Sequence, residues 1–172
     1  MQSERLTYRP LGAGDLDAFA GLVQDAHIRR YMMDGQVLPP WWSAAKIAES
    51  AALFDRLGVG LWLVHEKETA ALVGFCGFLV LPDVHAAPEL VYALRAPFTG
   101  RRYATEMARA AVVEARARRA FREILASVDA VNAASVRILE KLAFQRTEVR
   151  PGAFGDMLLF RLTVELPAGD PS

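Results

Sequence analysis

Cysteine is nearly absent from this chain. Cys76 is the only thiol, so no intrachain disulfide closes and no zinc cluster is assembled from thiolates. It stands inside the apolar stretch LVGFCGFLVL with no histidine beside it, which suits a buried small hydrophobe better than a covalent nucleophile. Surplus charge is absent too: 20 basic residues balance 20 acidic ones, which argues against general binding to nucleic acid. The longest apolar run, residues 70–81, falls short of the roughly 20 residues that a membrane-spanning helix needs. The polar start at residues 1–10 lacks the basic stretch and apolar core of a secretory signal, so a soluble, cytoplasmic protein is expected. No Pro/Gly/Ser-rich linker or internal repeat divides the chain. Residues 1–166 read as one domain and 167–172 as a loose tail.

Within that frame, 53% of the 172 residues are hydrophobic and 23% charged, enough for one full core. Residues 5–11 alternate polar and apolar side chains and read as a first strand. Leu16, Phe19, Leu22 and Val23 recur at helical spacing, after which residues 27–40 read as irregular. Trp41 and Trp42 introduce a helix over residues 44–57 with Ser43 as its N-cap. Residues 61–66 and 71–81 form a hairpin about the polar turn Lys67-Glu68-Thr69. A fourth strand at 89–94, a long helix over 103–119 and a fifth strand at 123–129 make a unit whose strands should lie parallel through a right-handed crossover. Asn132 caps a helix to residue 142, and residues 147–149 and 157–165 supply the last strands. The class is α/β in the mixed α+β sense, a mixed sheet with helices on both faces.

The most informative segment joins the fourth strand, ELVYAL, to the alanine-rich helix through Phe98-Thr99-Gly100-Arg101-Arg102-Tyr103-Ala104. Free backbone N–H groups, the positive end of a helix dipole and two guanidinium groups meet at this turn, and such a point holds phosphate. Between Arg95 and Arg122, eight arginines stand against Glu106 and Glu114. Those from Arg116 onward read as a solvated helix face, in which Glu114 and Arg118 pair at i,i+4. Arg101 and Arg102 suit a polyanion.

ELVYAL and TGRRYATEM, followed some thirty residues later by VNAASVRILEKLAF, resemble the acetyl-coenzyme A motifs of the GCN5-related N-acetyltransferase (GNAT) superfamily. The similarity is greatest to its ribosomal-protein alanine N-acetyltransferase branch. The resemblance implies a single GNAT-like domain with a mostly antiparallel sheet of about seven strands. It also implies direct transfer of an acetyl group from acetyl-CoA to a primary amine, with no metal.

By the same resemblance, the main chain of Tyr92, Ala93 and Leu94 holds the pantetheine arm, with a backbone N–H polarising the thioester carbonyl. Gly100, Arg101, Arg102, Tyr103 and Ala104 cradle the diphosphate, and Asn132 points at the pantetheine arm besides capping its helix. Thr99 and Arg102 depart from the family pattern, the second by replacing a glycine that lets phosphate approach the backbone; as a first-turn residue, Arg102 is expected to need no positive φ. Ser135 occupies the place of a hydroxyl near the sulfur and is the candidate proton donor, a helix-start serine bonded to its own backbone being the other reading; Leu139 stands where many members carry a proton-donating tyrosine. Glu89 is the candidate general base, acting through water, because a carboxylate near an apolar cleft titrates closer to neutrality. A solvent-facing strand-end carboxylate is the other reading. His27 and His85 are rival bases, and His65 reads as a strand surface residue. Tyr31, Met32, Met33, Trp41 and Trp42 fall where the superfamily builds its acceptor pocket, with core packing as the alternative. Ala143 replaces the glycine of LEKLGF and costs about 1 kcal/mol if its backbone is left-handed. Two other functions stay open: a non-catalytic acyl-CoA-binding module, and nucleic-acid binding through the arginine-rich helix. The sequence also leaves a homodimer open.

Overall fold

The computed structural model describes residues 1–32, 34–81, 84 and 87–164. Its elements are β1 (Leu6–Pro10), α1 (Leu16–Gln24), α2 (Ala26–Met32), α3 (Pro40–Leu57), β2 (Leu61–Glu66), β3 (Leu72–Leu79), β4 (Glu89–Leu94), α4 (Tyr103–Ala117), β5 (Glu123–Asp129), α5 (Ala133–Lys141), β6 (Gln145–Gly152) and β7 (Gly155–Thr163). Seven strands form one sheet in the order β1-β2-β3-β4-β5-β7-β6. Every neighbouring pair is antiparallel except β4 and β5. The mixed, mostly antiparallel sheet, the parallel crossover through α4 and the helices on both faces are as expected. Met33, His85 and the expected tail at 167–172 lie outside the described residues, as does the boundary at 166.

The central strands β2 and β3 are buried almost throughout, which is why they read as continuous apolar runs rather than as alternation. One core face gathers Leu90, Ala126, Trp62 and Phe78 of the sheet with Ala108, Ala111 and Val112 of α4 and Leu139 of α5. The other sets Val91, Ala93, Phe75, Leu61 and Leu63 against Phe19 and Leu22 of α1, Ile28 of α2 and Ile47 of α3. Cys76 is wholly buried and burial pushes its thiol pKa up, as its sequence context implied.

The segment after residue 26 is not irregular at its start. Asp25 Oδ1 accepts hydrogen bonds from the N–H groups of His27 (2.9 Å) and Ile28 (3.3 Å), and Ile28 packs into the core, so α2 forms on a cap and one anchor. Helix α3 begins at Pro40, not at residue 44. Pro40 is favoured in a first turn because it lacks the N–H that such a position leaves unpaired, and Ser43 lies buried inside the helix instead of capping it. The long helix ends at Ala117, before a left-handed Arg119 (φ 53°). Strand β6 is longer than expected and β7 starts two residues earlier, because the hairpin pairs them from Gln145↔Arg161 to Gly152↔Gly155.

Candidate active site

Strands β4 and β5 share one pairing, Glu89↔Leu125. β4 is paired with β3 from Glu89 to Leu94 and β5 with β7 along its length, so their facing edges separate beyond Glu89. A cleft of about 750 Å³ opens there, floored by Leu90 to Leu94 and Ala126 to Asp129 and walled by α2, the start of α4 and α5. Arg95 donates its N–H to Val73 O (2.9 Å) on the β3 side. By the alternation of an antiparallel ladder, Ala93 turns its backbone groups the same way, whereas Tyr92 and Leu94 present theirs to the cleft. An unpaired strand edge of this kind accepts an extended chain.

Glu89 stands where the two strands meet. It is 1% exposed. Ser127 Oγ, across on β5, donates to its Oε2 at 2.6 Å, while Oε1 is buried without a partner among the described residues. Desolvation pushes the Glu89 carboxyl up to about 7, with the Ser127 hydrogen bonds pulling the other way. The group is therefore a buried carboxylate that titrates near neutrality, not a solvent-facing strand end. Ser127 was not visible as a site residue in the sequence: 38 positions separate it from Glu89, and no motif links them.

On the opposite wall Asn132 caps α5, its Oδ1 accepting the Ser135 N–H at 3.2 Å. Ser135 lines the cleft. The Tyr92 hydroxyl reaches the same point, donating to Ser135 O at a long 3.4 Å, and burial pushes its pKa up to about 12. The sequence drew attention to the main chain of Tyr92; the structure also places its phenol in the cleft. Leu139 is buried in the core.

At the cradle, Gly100 (φ 75°) and Arg102 (φ 64°) are both left-handed. Arg102 is the residue before the first helical position of α4, so the expectation that it needs no positive φ is wrong: the site adopts the backbone that glycine favours and an arginine bears the strain. Among the described residues the N–H groups of Gly100, Arg101 and Arg102 have no acceptor, and the first helical bond runs from Glu106 N to Arg102 O (3.2 Å). The Arg102 side chain is exposed and lines the cleft with Tyr103, Ala104 and Thr105. Arg101 turns away: its Nη1 meets Glu66 Oε1 at 3.1 Å. The Tyr103 hydroxyl donates to the same oxygen at 2.6 Å and Thr69 Oγ1 to Oε2 at 2.6 Å. The hydroxyls of Thr69 and Tyr103, and then Arg101, hold the Glu66 carboxyl below its ordinary value. These contacts fix the turn from behind.

Toward the other end, Tyr31, Met32 and Trp42 line the cleft, together with His27, whose ring meets Tyr31 edge-on at 5.2 Å. Trp42 also stacks on Phe19 at 6.3 Å. Trp41 is 69% exposed and lies outside the cleft lining. His65 sits on β2 opposite Thr7, away from the cleft.

A free, dipole-oriented set of amides at one end, an open strand edge in the middle and an orphaned carboxylate oxygen at the meeting of the strands fit an acyl-CoA. The acetyltransferase (GNAT) domain family matches residues 5–145. Over 98% of its length the chain is 23% identical to an uncharacterized N-acetyltransferase of Bacillus licheniformis, p20, covering 98% of that protein. An acetyltransferase structure from Agrobacterium tumefaciens superposes with a TM-score of 0.77 at 22% identity, covering 94% of this chain and 92% of that one. A ribosomal L7/L12 α-N-protein acetyltransferase in complex with coenzyme A superposes with a TM-score of 0.75 at 16% identity, covering 94% and 96%. The chain belongs to the GNAT family of acetyltransferases and is an acetyl-CoA-dependent acyltransferase.

Proposed function

We propose that the chain moves the acetyl group of acetyl-CoA to a primary amine by direct attack, with both substrates bound at once. The observation that carries this reading is Glu89: a buried carboxylate on the cleft lining, with one oxygen held by Ser127 and the other buried without a partner among the described residues. An amine arrives as an ammonium ion and attacks only after losing a proton. A carboxylate that titrates near 7 takes that proton, directly or through water, at neutral pH. Acetyl-CoA supplies an activated acyl group and a thiolate leaving group. The backbone N–H groups that β4 presents to the cleft bind the carbonyl oxygen as it gains charge, and the amides of Gly100 to Ala104 with Arg102 bind the diphosphate. Ser135 and the Tyr92 phenol are the hydroxyls on the side of the departing sulfur. Each stays protonated at neutral pH and is a weaker acid than a thiol, so its part is a hydrogen bond that steadies the thiolate. Met32, Tyr31 and Trp42 form the acceptor side. A cytoplasmic location belongs to this reading, since the enzyme draws on acetyl-CoA.

Free-thiol release with primary amines tests it. Glu89→Gln should slow transfer about 10²- to 10⁴-fold with acetyl-CoA affinity kept. Unchanged turnover in that variant would remove Glu89 from the reaction. Ser135→Ala and Tyr92→Phe, compared alone and together, assign the hydroxyl that serves the sulfur. Leu139 in place of a tyrosine and the strained Arg102 favour one competing reading, a module that binds acyl-CoA without turnover. Binding by calorimetry with no thiol release from any amine would support that reading instead.

A further inference from the structure

The segment before β1 has no part in the steps above, yet it reaches the phosphate turn from behind. Arg5 directly precedes β1, and its side chain crosses to the start of α4. Its Nε and Nη2 donate to Glu106 Oε2 at 2.9 and 2.7 Å, and its Nη1 donates to Arg101 O at 3.0 Å. The Arg5 backbone N–H donates to the other carboxylate oxygen, Glu106 Oε1, at 2.8 Å, where Ser3 Oγ joins it at 2.7 Å. The guanidinium carbon lies 4.6 Å from the centroid of the Tyr103 ring, whose hydroxyl holds Glu66 beside Arg101. The segment is itself tied down: the Lys67 N–H donates to Arg5 O at 2.9 Å and Lys67 Nζ to Ser3 O at 2.6 Å. A lone exposed ion pair contributes little, but a guanidinium fork on a carboxylate with a further bond to a carbonyl is fixed in geometry.

The bond to Arg101 O sets a peptide plane. In a trans peptide the C=O and the following N–H point in opposite directions, and no described peptide is cis. A guanidinium that holds Arg101 O therefore turns the Arg102 N–H away from itself. Arg5 and Arg101 lie outside the cleft lining and Arg102 is part of it. Arg102 is also left-handed, at φ 64°, a conformation that a side chain opposes. A half-turn of this peptide would relieve Arg102 and present a carbonyl oxygen where the N–H stood.

The fork on Glu106 removes a second obstacle. Glu106 stands in the first turn of α4, where a carboxylate competes with any other anion for the positive end of the helix dipole. Desolvation raises its carboxyl, but the hydrogen bonds from Arg5 and Ser3 prevail and hold it below its ordinary value. It is an anion at neutral pH, and Arg5 neutralises it.

We propose that Arg5 is a positioning residue for acetyl-CoA: by gripping Arg101 O and Glu106 it keeps the Arg102 amide turned to the diphosphate and the neighbouring carboxylate neutralised, without touching the ligand. The proposal rests on the reading of Gly100 to Ala104 as the diphosphate cradle, which the wild type alone tests.

Coenzyme A and pantetheine, which carries the same thiol arm without the diphosphate, serve as probes in titration calorimetry on the full chain. The wild type should bind coenzyme A more tightly than pantetheine; equal affinities would overturn the cradle and the proposal with it. Arg5→Gln should weaken coenzyme A about tenfold, the effect of one hydrogen bond to a charged group, and leave pantetheine unchanged, which a general loosening of the fold would not do. Arg5→Lys keeps the charge but offers a single nitrogen in place of the fork, so its affinity for coenzyme A should fall between those of Arg5→Gln and the wild type. Arg9→Gln removes a comparable fork, on Asp15 at 2.8 and 2.6 Å, outside the cleft lining, and should bind coenzyme A as the wild type does. Wild-type affinity for coenzyme A in either Arg5 variant, a loss shared equally by pantetheine, or an equal loss in Arg9→Gln would overturn the proposal. Should Arg5→Gln fail to fold, Arg5→Lys decides by the same criteria.

Discussion

Glu89 carries the sharpest consequence at the scale of single residues. Its carboxyl goes from an ordinary 4.5 to about 7 on folding, so the folded protein keeps a proton that the unfolded chain has released. Between those two values stability falls as pH rises, and above 7 the ionised form has incurred the whole cost, about 3 kcal/mol. Glu89→Gln should remove this dependence: at pH 8 the variant should unfold at higher denaturant than wild type, and at pH 4 at nearly the same. The transfer rate has the opposite slope, rising with pH through about 7 as the base ionises, and that acid limb should be missing from the variant's residual activity. Arg102 offers a second separation. Its left-handed backbone costs about 1 kcal/mol, so Arg102→Gly should raise the unfolding midpoint modestly, less the entropy that glycine adds to the unfolded chain. Loss of the guanidinium should weaken acetyl-CoA several-fold, the effect of one solvated charge contact. Arg102→Ala should lose affinity without the stability gain, because alanine keeps the strain. Calorimetry and denaturant titration on the two variants decide between charge and backbone at the cradle.

Among the elements, β4 is the one that the site depends on, and its position is set from behind by β3. A β-carbon at Gly74 would collide with Ala93 O and come within 2.8 Å of Leu94 Cα. Gly74→Ala should therefore cost about 1–3 kcal/mol, the usual range for overpacking, and should also weaken acetyl-CoA binding, because the strand edge at Tyr92 and Leu94 moves with it. Loss of stability with unchanged affinity would show that β4 tolerates the shift. How legible each element was follows its physics. β2, β3, β4 and β5 stand in apolar runs bounded by polar turns, and their ends are where the sequence placed them to within two residues. α2 was missed because a seven-residue helix with one buried apolar residue, Ile28, has no periodicity to read; its Asp25 cap is the only local signal. The start of α3 was set too late because Ser43 was read as the N-cap, whereas Pro40 occupies the first turn.

For the whole molecule, the cleft joins elements that are remote in sequence, α2, β4, α4, β5 and α5, so a ligand that spans it should stabilise the folded state as a unit. Acetyl-CoA at a hundred times its dissociation constant should contribute about 2.7 kcal/mol, which for a domain of this size raises the melting temperature by roughly 5–10 °C. A differential scan with and without the ligand checks this, and a rise confined to part of a biphasic transition would contradict it. The sequence by itself determined the class, the order of strands and the phosphate turn, because periodicity, apolar runs and a glycine before a helix are local facts that the chain writes in consecutive letters. It also pointed to Glu89, by resemblance, without its environment. Only the tertiary structure decided that this carboxylate is buried, that Ser127 holds one of its oxygens, and that Arg101 faces Glu66 and not the cleft. Each of those depends on the divergence of β4 from β5 and on contacts between residues dozens of positions apart, which no local pattern encodes.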